Sequence, residues 1–208
     1  MFELQYFVPA FATLFVVMDP IGLTPLFLAL TQGMNAQQRR TIALRAAFVA
    51  GGLLTLFAVF GENVLGFLGI SMAAFRISGG ILLLLTALDM LFERRTKRRK
   101  DQTETTVDAD EDPSVFPLAM PLMAGPGAIA TIILLSSQGD GYSGTMLALL
   151  VMFTVLLITL ALFLAANLFE RYLKETVITV LTRVLGMLLA ALAVQFVLDG
   201  LKDFGVVG

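Results

Sequence analysis

An all-α membrane protein of six spans, arranged as two inverted three-helix repeats, is predicted by three features of the sequence. The 208-residue chain is 58 % hydrophobic and only 14 % charged. Soluble domains carry about 25 % charged residues, so there is too little polar surface here to face water on all sides. Apolar windows near the ~20 residues needed to cross hydrocarbon recur along the chain. Finally, DPIGLTPLFLALTQG, starting at Asp19, returns without a gap 106 positions later as GPGAIATIILLSSQG, starting at Gly125. Pro20 meets Pro126, Leu28 meets Leu134, Gln32 meets Gln138 and Gly33 meets Gly139, while Gly22 falls on Ala128 and Thr31 on Ser137.

Windows 5–32, 41–60, 73–92, 115–137, 145–168 and 177–198 read as the membrane helices. The first is too long for one straight span, and Asp19-Pro20-Ile21-Gly22 sits near its middle. Proline there removes a backbone donor and clashes with the preceding turn. The fourth window is broken in the same way at Gly125-Pro126-Gly127. A break in lipid is tolerated only where the freed groups face protein or a wet cavity, so broken or re-entrant helices are expected at both places. A repeated, broken membrane segment also points to a transporter's binding site. The N-terminal residues lack both a positive region and a small-residue cleavage site, so the first segment is expected to remain in the protein.

Basic residues set the expected orientation. With the N-terminus outside, inner loops hold Arg39, Arg40, the block 94–100, Arg171 and Lys174, whereas loops 61–72 and 138–144 hold no Lys or Arg. Both termini are therefore expected outside. Three spans per repeat make the second copy enter the membrane the other way up. The pattern Arg-x-x-Gly supports this, recurring at Arg76 with Gly79 and at Arg183 with Gly186, an offset of 107 that differs from the first match by one residue of slippage. Residues 1–93 form the first repeat and 114–208 the second, in one membrane domain. Between them, 94–113 is a basic block followed by an acidic tail, expected to be a cytoplasmic tether that lies against lipid headgroups.

Asp19 is the one carboxylate well inside an apolar span, a costly placement that is usually functional. It is equally suited to cap the half-helix starting at Pro20, and the two roles can coexist. The second repeat has Gly125 in its place, so a charged site would be asymmetric. The two half-helix starts, Pro20-Ile21-Gly22 and Pro126-Gly127, expose backbone donors at a positive dipole end, which binds carboxylates and other anions. Arg76 and Arg183 lie near span ends. They either snorkel to the interface or pair with Asp19, with carbonyls at the breaks or with a substrate carboxylate. Thr24, Thr131, Ser136, Ser137, Asn167 and Gln195 are the polar residues available to line a cavity, although each alone is commonly an interhelical hydrogen bond. Small residues at Ala43, Ala47 and Gly51, and at Ala161 and Ala165, predict tight helix contacts.

The absence of cysteine and histidine from the sequence removes disulfides, thiolate metal sites and the usual neutral-pH proton carrier. No hydrolase, zinc-protease or nucleotide-binding motif is present, so an enzyme is not expected.

Four stretches together resemble the MarC family: DPIGLTPLFL from Asp19, FRISGG from Phe75, FPLAMPLMAGPGAIATI from Phe116, and TRVLGM from Thr182 followed by Gln195-Phe196. This family is of UPF0056 type and includes small neutral amino acid transporters of the SnatA type. The resemblance covers essentially the whole chain outside the linker, and its most specific part runs from Pro117 to Gly127. It implies an inner-membrane protein of six spans related to the LysE-like exporters, with alanine- or glycine-sized substrates held around Asp19–Gly22 and Gly125–Gly127. The expected function is secondary transport by alternating access, with no cofactor beyond H⁺ or Na⁺ coupling. The expected partners are a small neutral amino acid and membrane lipids, with no nucleic acid, and an oligomer is compatible with the sequence. A small-solute or ion channel, or a multidrug or metabolite exporter, is the alternative.

Overall fold

A computed structural model describes residues 4–92, 94, 112–138, 142–169 and 175–206. Apart from Arg94, Asp112 and Pro113, the expected cytoplasmic linker lies outside the described residues. The described chain forms seven α-helices and one irregular wound segment: α1 (Leu4–Met18), α2 (Pro20–Leu30), α3 (Ala36–Phe67), α4 (Met72–Leu91), the wound segment (Ser114–Met123), α5 (Pro126–Ser136), α6 (Tyr142–Phe169) and α7 (Glu175–Asp203). Five helical stretches are long and apolar enough to cross a membrane, with α1 and α2 together supplying the first, Tyr6–Leu30. The wound segment and α5 make a sixth if counted as one span, bent by 58°.

Local chemistry sets the boundaries. Asn35 caps α3 in a reciprocal capping box with Gln38, and Ser71 caps α4 through Ala74 N–H. Arg39 donates from Nε to the Thr31 carbonyl at 3.2 Å, placing a cation at the negative end of α2. The 32 residues of α3 extend for about 48 Å. That exceeds the ~30 Å of hydrocarbon and leaves overhang or tilt.

The first half of window 115–137 is not an α-helix. Pro117 and Pro121 remove two donors four residues apart, which an α-helical ladder cannot absorb. Phe116 and Met120 instead adopt extended conformations at φ −128° and −130°, each before a cis proline. Hydrogen bonds reach back five residues, from Leu118 N–H to the Pro113 carbonyl and from Ala124 N–H to the Ala119 carbonyl. The result is a tandem four-residue winding, Phe-Pro-Leu-Ala then Met-Pro-Leu-Met, that turns Phe116 and Met120 outward and buries Leu118, Ala119, Leu122 and Met123.

Elements recur at the spacing read from sequence. Helices α2 and α5 each have eleven residues, start at prolines 106 positions apart and have C-caps at Thr31 and Ser137. Helices α3 and α6 start at residues 36 and 142, again 106 apart. Packing is crosswise. Phe27 of α2 stacks on Phe163 of α6 at 4.5 Å, while Ile133 of α5 lies against α3 at Gly61, where a Cβ would meet Ile133 Cγ1 at 2.5 Å.

The tightest crossing is α4 on α7, and glycine makes it possible. A Cβ on Gly80 would lie 2.8 Å from both the Ala193 carbonyl oxygen and Val197 Cγ2. One on Gly186 would lie 2.9 Å from Met90 Cβ, 3.3 Å from the Ala87 carbonyl oxygen and 3.4 Å from Leu91 Cγ. Of the small residues expected to pack, Ala43 and Gly51 are buried in α3 and Ala47 is half-buried. Ala161, however, is exposed and Ala165 only half-buried, because α6 turns Val155, Thr159, Phe163 and Ala166 inward instead.

Candidate functional site

The first break is a single residue wide. Asp19 sits in the left-handed region at φ 57°, ψ 63°, a conformation Asp tolerates when its side chain bonds locally. Its N–H still bonds the Phe15 carbonyl at 2.9 Å, and its carbonyl accepts from Leu23 N–H at 3.0 Å, so α1 ends and α2 begins on the same residue. Oδ1 accepts from Gly22 N–H at 3.0 Å. Gly22 is required for this: a Cβ there would lie 2.2 Å from Asp19 Oδ2. Pro20 has no N–H and Gly22 has given its own to Asp19, so Ile21 N–H is the one uncapped donor left at the start of α2, beside the protein's own carboxylate. Pro25 likewise has no N–H to give the Ile21 carbonyl, which leaves that oxygen without its α-helical donor. Thr24 turns its hydroxyl to the Pro20 carbonyl at 2.8 Å. Asp19 and Thr24 are both 2 % exposed.

The second break is built differently. Gly125 is extended at φ −78°, ψ 172° and supplies no side-chain cap to α5. Here too glycine is a steric requirement, because a Cβ on Gly125 would lie 2.6 Å from the Pro121 carbonyl oxygen. Pro126 contributes no donor, and the helical ladder begins with Ile129 N–H to the Gly125 carbonyl at 3.0 Å. The N–H groups of Gly127 and Ala128 are therefore the uncapped donors of this helix start. One turn along the same face, Thr131 is fully buried and its hydroxyl has no hydrogen-bond partner.

The two breaks meet. A Cβ on Gly127 would lie 3.2 Å from Val17 Cγ1, 3.6 Å from Leu83 Cδ2 and 3.8 Å from Thr86 Oγ1. The start of α5 thus abuts the last turn of α1, two residues before Asp19. Thr159 of α6 approaches the same turn, its hydroxyl 3.6 Å from Met18 Sδ while bonded to the Val155 carbonyl at 2.8 Å. Thr86 and Thr159 were not among the sequence candidates. Only three-dimensional proximity marks them, since each is an ordinary threonine in an apolar run.

The arginines lie elsewhere. Arg76 pairs through Nη1 with Asp203 at the end of α7, and its buried Nε has no partner. Arg183 is exposed on α7, one turn before Gly186. Neither is placed beside Asp19 by the contacts at the breaks. The Arg76–Asp203 pair ties α4 to α7 with side chains 18 % and 46 % exposed, so Arg76→Gln is expected to cost about 0.5–1 kcal/mol. Thermal unfolding in detergent checks this, and a loss above about 3 kcal/mol would mean that the pair is effectively buried. Ser136 and Ser137 bond back to the carbonyls of Ile133 and Leu134. Gln195 donates to Asp199, and the Asn167 side chain lies outside the described residues.

The profile of a family described as "MarC family integral membrane protein" matches residues 4–204. The chain belongs to the MarC family. It is similar to UPF0056 membrane proteins across distant lineages. One from Methanocaldococcus jannaschii is 36 % identical over 96 % of this chain and 98 % of that protein. Another from Aquifex aeolicus is 35 % identical over 95 % and 92 %, and YvbG of Bacillus subtilis is 33 % identical over 95 % of both. No solved structure matches the chain. In this MarC protein both breaks fall within the matched region, as do Arg76, Arg183 and Asp203.

Proposed function

We propose that this MarC protein is a secondary transporter of small neutral amino acids, with one substrate site where the two breaks meet. The observation that carries the reading is their inequality. One half-helix start holds a buried carboxylate, and the other presents uncapped N–H groups beside an unpartnered threonine hydroxyl. A zwitterion needs one pole of each kind. Asp19, with the Ile21 carbonyl, takes the ammonium, while Gly127 and Ala128 N–H at the positive end of α5 take the carboxylate, with Thr131 as a further donor. Val17, Leu83 and Thr86 all come within 4 Å of a Cβ placed on Gly127, which favours a substrate with a small side chain. Asp19 is also the group that carries a coupling H⁺ or Na⁺ between cycles.

Transport then proceeds by alternating access. The repeats supply the moving parts, inverted about a pseudo-two-fold in the membrane plane. Support comes from the crosswise packing and from the glycine crossing. Adding 106 to Gly80 gives Gly186, and subtracting 106 from Ala193 and Val197 gives Ala87 and Leu91, so each glycine meets the counterparts of the other's neighbours. Such reciprocity is the mark of a two-fold contact. Both termini then face outward from an inner membrane, with 94–113 on the cytoplasmic side. Arg76 braces α4 against α7 through Asp203, and Arg183 lies toward the opposite face.

Counterflow in proteoliposomes tests the assignment. Vesicles preloaded with alanine should accelerate uptake of labelled alanine or glycine, saturably. Non-saturating flux or single-channel currents would favour a channel, and flux of bulky amphiphiles a drug exporter. Thr131→Val, which keeps shape and deletes the unpartnered hydroxyl, should reduce counterflow by about tenfold and leave stability unchanged or raised. Unchanged counterflow would remove Thr131 from the site.

A further inference from the structure

Two hollows lie away from the breaks, on the outer side of α3 and α6. One, of about 690 Å³, opens among Arg45, Phe48, Asp112, Ser114 and Leu160. The other, of about 380 Å³, continues among Phe48, Gly52, Thr55, Phe153 and Leu157. They share Ala47, Phe48 and Leu160 and so form one groove.

Its chemistry is graded from end to end. At the polar end Arg45 Nη1 donates to Asp112 Oδ2 at 2.6 Å, and Asp112 Oδ1 accepts from Ser114 N–H at 3.0 Å. The Ser114 side chain is buried behind the same carboxylate. Partial burial pushes the Asp112 carboxyl up, but hydrogen bonds from Ser114 and Arg45 outweigh it and hold the group below its ordinary range. The Asp112 carboxyl is therefore ionised at neutral pH. Arg45 is 63 % exposed and Asp112 44 %, and their contact uses one of the five guanidinium N–H donors. Beyond them the groove is apolar, and Phe48 stands 82 % exposed along it.

Depth along α3 matches this grading to a bilayer. Arg45 is nine residues into the 32-residue helix, so with α3 centred it falls within about 5 Å of the hydrocarbon boundary. Gly52 lies about 10 Å deeper. The ligand that fits has a zwitterionic head at the interface and an apolar tail in the hydrocarbon. A guanidinium beside a carboxylate complements a phosphate beside a primary ammonium. A second copy of the chain would have to bring an apolar ridge with a dipolar tip, whereas a lipid carries both in one molecule.

We propose that the α3–α6 groove is a phospholipid site. Arg45 meets the phosphate, Asp112 meets a primary ammonium of the headgroup, and one acyl chain lies along Phe48 and Gly52 toward Leu157. The proposal is independent of the substrate site at the breaks.

Native mass spectrometry of the purified full chain tests it, with phosphatidylethanolamine, phosphatidylcholine and phosphatidylglycerol offered in turn. One retained lipid per chain is expected, with phosphatidylethanolamine favoured by about tenfold over the other two. Gly52→Phe should abolish retention without loss of stability, because a Cβ at Gly52 has nothing within 4 Å and the ring would occupy only the groove. Arg45→Gln and Asp112→Asn should each erase the headgroup preference, and they read the site even if Gly52→Phe folds poorly. Equal retention by wild type and folded Gly52→Phe, or equal retention of all three lipids, would overturn the proposal. So would a dimer that Gly52→Phe splits while lipid retention stays the same.

Discussion

Asp19→Asn is expected to lower alanine counterflow by on the order of 100-fold while changing stability by less than about 0.5 kcal/mol. Asparagine is as good an N-cap as aspartate and tolerates the left-handed conformation, so its side-chain oxygen keeps the bond from Gly22 N–H. What disappears is the charge. An ammonium held in a buried site by a carboxylate gains a charge-assisted hydrogen bond, and losing it costs about 2–3 kcal/mol, or roughly 30- to 200-fold. Asp19→Ala separates the two roles. It should lose transport equally and also destabilise by about 2 kcal/mol, from the missing cap and from losing the local side-chain bond that lets aspartate tolerate φ 57°. Parallel counterflow and thermal unfolding distinguish the outcomes. If Asp19→Asn transports normally, the carboxylate is a cap and nothing more.

Gly80→Ala and Gly186→Ala should each destabilise by about 1–3 kcal/mol, and by similar amounts. Alanine normally strengthens a helix interior by about 1 kcal/mol over glycine, so the expected sign is opposite to propensity. The reason is backbone proximity. At Gly80 the new methyl group meets the Ala193 carbonyl oxygen at 2.8 Å, and at Gly186 it meets Met90 Cβ at 2.9 Å and the Ala87 carbonyl oxygen at 3.3 Å, so α4 and α7 must separate. Gly52→Ala is the internal control. With no atom within 4 Å of its Cβ, it should gain about 0.5–1 kcal/mol. Stabilisation by all three would mean that α4 and α7 are not packed through these glycines. A large loss at Gly80 with none at Gly186 would argue against the two-fold relation.

Much of this arrangement is legible in the sequence because membrane burial acts on single segments. Hydropathy places α4, α6 and α7 within five residues at each end, whereas α3 overruns its window by five residues at its start and seven at its end, and Pro20 and Pro126 mark the starts of α2 and α5. The wound segment was missed because apolar content alone made 115–137 read as helical. The decisive signal, Pro117 and Pro121 four apart, was present and outweighs hydropathy, since lost donors in lipid must be repaired by rewinding the backbone. The inequality of the breaks was half visible, as Asp19 against Gly125. That Asp19 takes Gly22 N–H, leaving one uncapped donor at α2 against two at α5, Gly127 and Ala128, depends on a local fold that residue types do not dictate. Arg76 with Asp203, 127 positions apart, and Thr86 beside Gly127 come from helix packing and leave no local trace.

The central claim is that one small amino acid binds where the two breaks meet. Calorimetric titration of alanine into the purified protein tests it most directly, comparing wild type with Asp19→Asn, Gly127→Leu and, as a distant control, Gly52→Phe. One alanine per chain is expected in wild type and in Gly52→Phe, with binding weakened at least ~100-fold in the two break variants. Unchanged affinity in folded Asp19→Asn or Gly127→Leu would contradict it, and would move the site away from the breaks.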